Sequence, residues 1–219
     1  PHGSCQQFYP TGKMRETISY KNGLQHGASQ YLSPNGVILF EGAFENDIAV
    51  GKAVERYENG QMESTYNYVN GMLDGKIDRF YEDGSLQSQK EFRKGTPIGT
   101  HVEFYPKNTK QQIKSRVHFN ENGLLEGEAI RYFPIEGIQA QCFYRNGQLD
   151  GKKQFFAEDG TLLLDSNYQL GQLNGPFFQK KSTGIEVHAQ YKNNRLTGTY
   201  IEYYPALETA KIKALETTF

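Results

Sequence analysis

The chain has 219 residues, 23 of them glycine and none tryptophan, with 24 basic against 25 acidic side chains and a net charge of −1. Apolar residues make up only 37%, yet 15 Tyr and 14 Phe are present, a balance that suits a thin structure with much of its chain facing water. No run approaches the ~18 apolar residues of a spanning helix, there is no basic excess of the kind a nucleic-acid binder shows, and two cysteines exclude a disulfide scaffold or a four-cysteine metal site.

The chain opens Pro1-His2-Gly3-Ser4-Cys5. Residues 1–7 read either as an expression-tag scar or as an N-terminal tether. Gly3-Ser4-Cys5 followed by Gln6-Gln7 is similar to the end of a bacterial lipoprotein signal, which makes Cys5 a candidate lipid carrier. From residue 8 to 205 a repeat dominates. Gly27, Gly51, Gly75, Gly99, Gly127, Gly151, Gly175 and Gly198 stand 24, 24, 24, 28, 24, 24 and 23 residues apart. A second set, including Gly36, Gly60, Gly84 and Gly160, follows each by about nine residues. A third, including Gly23, Gly71 and Gly147, precedes each by four, with Asp47 and Asn194 standing in as residues that tolerate positive φ. An aromatic keeps the same beat at Tyr20, Phe44, Tyr68, Phe92, Phe119, Tyr144, Tyr168 and Tyr191. The runs between glycines are short and rich in Tyr, Phe, Val, Ile and Thr. Asn35-Gly36, Asn59-Gly60, Asp83-Gly84 and Asp159-Gly160 close them as hairpin turns that need positive φ.

Each unit therefore reads as a β-hairpin, and the chain as a meander of roughly sixteen strands. The expected fold is all-β: an elongated, twisted, open sheet, ~75 Å across its strands, with an aromatic ladder on one face and polar residues on the other. Two places break the beat. Extra residues fall in the loop 106–114, and Pro176-Phe177-Phe178 brings aromatics forward in its unit. Insertions in repeat arrays map to loops that often bind partners, so Lys107, Asn108, Lys110, Gln112, Phe177 and Phe178 are candidate contact residues. Residues 206–219 lack Gly and Pro and are rich in Ala, Leu, Glu and Lys, which predicts a short capping helix.

The unit resembles the MORN repeat, and more closely its 24-residue bacterial variant. Tyr20-Lys-Asn-Gly23-Leu-Gln-His-Gly27, Tyr68-Val-Asn-Gly71-Met-Leu-Asp-Gly75 and Tyr144-Arg-Asn-Gly147-Gln-Leu-Asp-Gly151 carry the resemblance. It implies stacked hairpins. It also implies similarity to the antitoxin and immunity group of that family, whose members neutralise a toxin by binding it; no single functional residue is carried over.

A search for chemistry returns none. The five histidines are read as lying at different phases of the repeat, with no HxH or HExxH spacing to gather the three or four ligands zinc needs. Asp74 and Asp150, with Glu126, recur just before a beat glycine, where turn chemistry explains them better than catalysis. No phosphate-loop spacing is present. An open array also sets Cys5 and Cys142 too far apart for a bridge. The expectation is a non-enzymatic module without cofactor or metal. Its expected partner is a protein, a toxin or effector that it occludes, with no nucleic acid and with a membrane only through a lipid on Cys5. The matching location is the periplasm or a membrane anchor, the alternative the cytoplasm. A lipid-surface module or a structural spacer is the competing function, and open sheet ends leave a dimer possible.

Overall fold

Glycine every ten or so residues disfavours helix throughout, and the computed structural model of the chain is all-β, with no helix among the residues it describes (1–107, 112–205 and 213–218). It divides into two units, Pro1–Asn108 with Glu121–Gly123, and Thr109–Asn120 with Leu124–Phe219. The first holds β1 (Gly3–Phe8), β2 (Met14–Lys21), β3 (Leu24–Leu32), β4 (Ile38–Glu45), β5 (Ile48–Arg56), β6 (Met62–Val69), β7 (Met72–Leu73), β8 (Gly75–Phe80), β9 (Leu86–Arg93) and β10 (Thr96–Phe104). The second holds β11 (Ile113–Phe119), β12 (Gly127–Tyr132), β13 (Ile138–Arg145), β14 (Gln148–Phe156), β15 (Leu162–Gln169), β16 (Gln172–Lys180), β17 (Glu186–Lys192), β18 (Arg195–Leu196), β19 (Thr199–Tyr203) and β20 (Lys213–Thr218). Within each unit the pairings are antiparallel and join strands that follow one another in the chain, with β6 also pairing β8 and β17 also pairing β19 past a two-residue strand.

Strands bearing the beat glycine alternate with strands bearing the beat aromatic. On one side the register runs unbroken past the glycine, so that Gly51 faces Tyr68, and shifts only near the three-residue loop, between Glu55 and Arg56. On the other side the register slips around the glycine: Ala43 faces Val50, but Glu41 faces Val54. The glycine is the left-handed residue of that bulge, with φ of 68° at Gly51 and 120° at Gly151.

The two ends of the hairpins use different turns. At one end, pairs such as Asn22-Gly23 (φ 53° and 89°), Asn46-Asp47 (51° and 65°) and Asn193-Asn194 (50° and 63°) form two-residue turns with both residues left-handed. Asp47 and Asn194 thus replace glycine as expected. At the other end the loops have three residues. In Glu58-Asn59-Gly60, Tyr57 N–H donates to the Gln61 carbonyl and Gly60 N–H to the Tyr57 carbonyl, both at 2.9 Å, and only Gly60 takes a positive φ. Leu170 is the misfit among the tight turns. It holds φ of 49° where five other turns place Asn, and it is 62% exposed. A branched side chain is disfavoured in that region. Leu170→Asn is expected to stabilise the second unit by about 1 kcal/mol, seen as a higher urea midpoint; a lower midpoint would show that the leucine side chain holds the turn.

At the N-terminus β1 pairs with β2 from Gly3↔Tyr20 to Phe8↔Met14, and Gly3 lies 24 residues before Gly27 with φ of 100°, so it is on the beat. His2 and His26 consequently share one phase, just before a beat glycine. The capping helix is not observed in the described part of 206–219. Lys213–Thr218 is strand β20, paired with β19 from Thr199↔Thr218 to Tyr203↔Lys213. The free hydrogen-bonding edge of β19 outweighs the modest helix preference of Ala, Leu, Glu and Lys. The strands exceed the expected number because β1 and β20 join the sheet, and because two glycine strands are split by a break just before Gly75 and Gly198.

The core is a thin strip. Ile18, Ala53, Val54, Ile77 and Ile98 are buried in the first unit, and Ile130, Phe133, Val187 and Ala189 in the second. The ladder aromatics Tyr20, Phe44, Tyr68, Phe92, Tyr144, Tyr168 and Tyr191 are only half-buried, so they cover their face themselves. The most deeply buried side chains are serines with hydrogen-bond partners. Ser64 Oγ donates to Glu55 Oε2 at 2.7 Å, and Ser166 Oγ to the Lys153 carbonyl at 3.2 Å.

Candidate functional site

The recurring carboxylates tie repeats together. Asp74 Oδ1 accepts from Lys94 N–H at 2.9 Å, Glu126 Oε2 from Asn146 N–H at 2.8 Å, and Asp150 Oδ1 from Leu170 N–H at 3.3 Å. Each carboxylate thus satisfies the first amide of the next tight turn, and backbone bonds such as Gly71 N–H to the Ala49 carbonyl run beside them. At the three-residue loops of the first unit the link is a tyrosine. Tyr57 and Tyr81 hydroxyls donate to the Phe80 and Phe104 carbonyls, both at 2.8 Å. In the second unit Lys181 stands at that phase and donates to Glu202 Oε1 at 2.6 Å.

That last contact makes a pH-sensitive joint. Tyr200 also donates to Glu202 Oε1, at 2.6 Å. The two bonds, Lys181 first, hold the Glu202 carboxyl below its ordinary range. The hydrogen bond to Glu202 pushes the Tyr200 hydroxyl up to about 12. The folded joint therefore resists protonation of Glu202 and deprotonation of Tyr200. Its stabilisation is present between these limits. It is lost as pH falls through the depressed Glu202 value, and again as pH rises from the ordinary tyrosine value toward 12. Glu202→Gln is expected to flatten both limbs of a plot of second-unit melting temperature against pH; unchanged limbs would assign them elsewhere.

Of the sequence-predicted contact residues, Lys107 and Gln112 are exposed at the ends of their loop, while Asn108 and Lys110 lie outside the described residues. The rings of Phe177 and Phe178 pack in different places, although both residues line one cavity. They are adjacent on β16 and so point to opposite faces. Phe177 belongs to the aromatic face, its ring edge-on to Tyr191 with centroids 5.6 Å apart. Phe178 stands on the other face, in the cross-strand row Ile130–Gln141–Gln154–Asp165–Phe178–His188–Ile201. The same row of the first unit reads Gln30–Glu41–Val54–Thr65–Asp78–Gln89–Val102. It carries no aromatic there.

Around Phe178 an aromatic cluster forms. Its ring centroid is 5.2 Å from that of His188, which lies 5.4 Å from Tyr203 with the rings nearly perpendicular. Beside it opens a cavity of about 660 Å³, lined by Lys152, Asp165, Asn167, Pro176, Phe178 and His188, with Phe177 and Ala189 of the intervening positions also reaching its wall. Asp165 Oδ2 accepts from Gln154 Nε2 at 3.1 Å and faces Lys152 Nζ at 3.7 Å. Asp165 Oδ1 is buried with no hydrogen-bond partner, and so is His188 Nε2, whose nearest charge is Glu186 Oε2 at 3.7 Å. Buried polar atoms left unpaired are expensive, and a site that keeps two of them beside a cavity is set up for something that supplies partners. His188 and Tyr203 were not legible as site residues from spacing along the chain; the signal lay in the cross-strand row. Cys5 is exposed on β1 opposite Ile18, and Cys142 is half-buried on β13, with burial raising its thiol pKa; both are free.

The MORN repeat variant model matches residues 1–22 and 49–70. Those two segments are similar to the MORN repeat variant. The first match begins two residues before Gly3 as the second begins two before Gly51, consistent with Gly3 being on the beat, and the second spans the Gly51 bulge strand, the three-residue loop and Tyr68. MORN repeats are in general protein- or membrane-binding modules. No curated protein matches the chain.

Proposed function

We propose that the chain is a non-enzymatic protein-binding module, an immunity protein that neutralises a cognate bacterial toxin or effector by binding and occluding it. The observation that carries the binding reading is the interruption of the polar face at Phe178, His188 and Tyr203, where a regular row gives way to aromatics, a cavity and two unpaired polar atoms. Aromatic anchors in a recess flanked by polar groups are the usual centre of a protein interface. The recurrent carboxylates are engaged by turn amides, which supports recognition over catalysis. In this reading the partner's loop enters the recess, and the rigid sheet around it blocks the partner's active cleft by bulk. The associated location is the periplasm or a membrane anchor through a lipid on Cys5, the alternative the cytoplasm.

The test is co-expression with the products of adjacent genes. One of them should arrest growth alone and be silenced by this chain, with a 1:1 complex in solution. Toxicity unrelieved by the chain for every neighbour would sink the immunity role. One feature favours a second reading, a lipid surface: Leu24, Ile48 and Met72, which follow successive tight turns of the first unit, are each more than 40% exposed. Co-sedimentation of lipid-free protein with anionic vesicles separates the two readings.

A further inference from the structure

This chain already pairs tyrosine hydroxyls with carboxylates. Tyr66 donates to Glu55 Oε2 at 2.7 Å, and Tyr200 to Glu202 Oε1 at 2.6 Å. At Glu202 a lysine completes the group, with Lys181 Nζ donating to the same oxygen at 2.6 Å. The recess beside Phe178 holds the carboxylate and the lysine of such a group, Asp165 and Lys152, and no tyrosine lines it. The ion pair there is open. Lys152 Nζ stands 3.7 Å from Asp165 Oδ2, beyond hydrogen-bond range, and Asp165 Oδ1 has no partner. The Asp165 side chain is 25% exposed, and its last torsion is broad and roughly two-fold. One oxygen can therefore turn to the recess while the other keeps its bond from Gln154 Nε2.

We propose that this recess takes a tyrosine side chain of the protein partner, an occupant that rests on the protein-binding role given to the recess above. The ring lies against Phe178 and His188, whose centroids are 5.2 Å apart. The hydroxyl donates to the Asp165 carboxylate and accepts from Lys152 Nζ, which rebuilds the arrangement of Tyr200, Glu202 and Lys181. Charge selects against other anchors. A guanidinium or ammonium group would meet Lys152, and Lys180 already stands 3.9 Å from Glu186 on the far side of the ring cluster. A carboxylate or phosphate would be set beside Asp165 and Glu186. Phenylalanine would fill the space and leave Asp165 Oδ1 desolvated and unpaired, which is unfavourable. Tyrosine brings no charge, an apolar body for the two rings, and a tip that both donates and accepts. A recess of about 660 Å³ admits that side chain together with part of the loop that carries it.

The experiment titrates the full chain with N-acetyl-tyrosine amide and follows the ring protons of Phe178 and His188 by NMR. N-acetyl-tyrosine amide is expected to bind about tenfold more tightly than N-acetyl-phenylalanine amide. Asp165→Ala, shown to be folded by circular dichroism, should bind the two equally. Asp165→Asn, which keeps a carbonyl acceptor at that place, should retain part of the preference. Four results overturn the proposal: equal binding of the two amides by the unmodified chain, a full preference that survives Asp165→Ala, tighter binding of N-acetyl-arginine amide, or no movement of either ring with the tyrosine amide at its solubility limit. None of these readings needs the partner in hand. A neighbouring gene's product that is neutralised through Phe178, while the tyrosine amide moves neither ring, would remove the tyrosine and keep the binding role. A tyrosine amide that binds as expected, with no neighbour relieved by the chain, would support the site and remove the immunity role.

Discussion

Gly151→Val is expected to destabilise the second unit by about 3 kcal/mol. Gly151 holds φ of 120°, a conformation L side chains rarely adopt, and a Cβ there would stand 3.1 Å from Phe143 Cβ. Both problems fall on backbone that the bulge fixes, because the register with β13 slips between Cys142 and Tyr144. Relaxing the backbone would undo the pairing that gives the repeat its beat. A loss of that size in a unit of about a hundred residues lowers its melting midpoint by roughly 12–24 °C. Gly160→Asn is the matched control. Gly160 has φ of 81° and nothing within 4 Å of a built Cβ, and Asn tolerates that region. The control should lose under about 1 kcal/mol. Equal losses at the two sites would mean that the beat glycine is not chosen for its bulge.

On the proposed binding role, Phe178→Ala is expected to weaken binding to the protein partner by roughly thirtyfold, the equivalent of about 2 kcal/mol for a central aromatic anchor. Phe178→Leu, which keeps most of the bulk, should retain more of the affinity. Lys107→Ala, at the exposed loop end, should change affinity less than threefold. The assay is titration calorimetry with an inactive form of the partner, alongside a melting curve for each variant. Full affinity in a folded Phe178→Ala protein, with loss in Lys107→Ala, would move the contact to the 106–114 loop. Phe177→Ala gives a further check: it sits on the opposite face beside Tyr191, so it should lower stability more than affinity.

The repeat was readable because glycine and Asn-Gly pairs mark backbone that only they adopt easily, and such positions announce themselves one residue at a time. Asp47 and Asn194 were readable for the same reason. Gly3 stood on the same 24-residue beat and went uncounted, since the opening residues also resemble a scar or a lipid signal. Lys213–Thr218 was misread because composition reports local preference, and what decides its state is the open edge of β19, a tertiary circumstance. The cluster of Phe178, His188 and Tyr203 needs register. His188 and Phe178 are ten residues apart in sequence and become neighbours only once β16 and β17 are aligned. Phe178 itself stands out in the sequence, with Phe177, by its departure from the beat.

The alternation of short turns has a kinetic meaning. Sheets usually fold slowly because their strands must find partners far along the chain, and closing such long loops is entropically unfavourable. Here each strand meets its neighbours across two-residue turns and mostly three-residue loops, so the search is nearly as local as in a helix. Any hairpin of a unit can serve as the seed, and growth adds one strand at a time to whichever edge is ready. A chain emerging from the ribosome could therefore begin to pair after its first two strands, without waiting for its end.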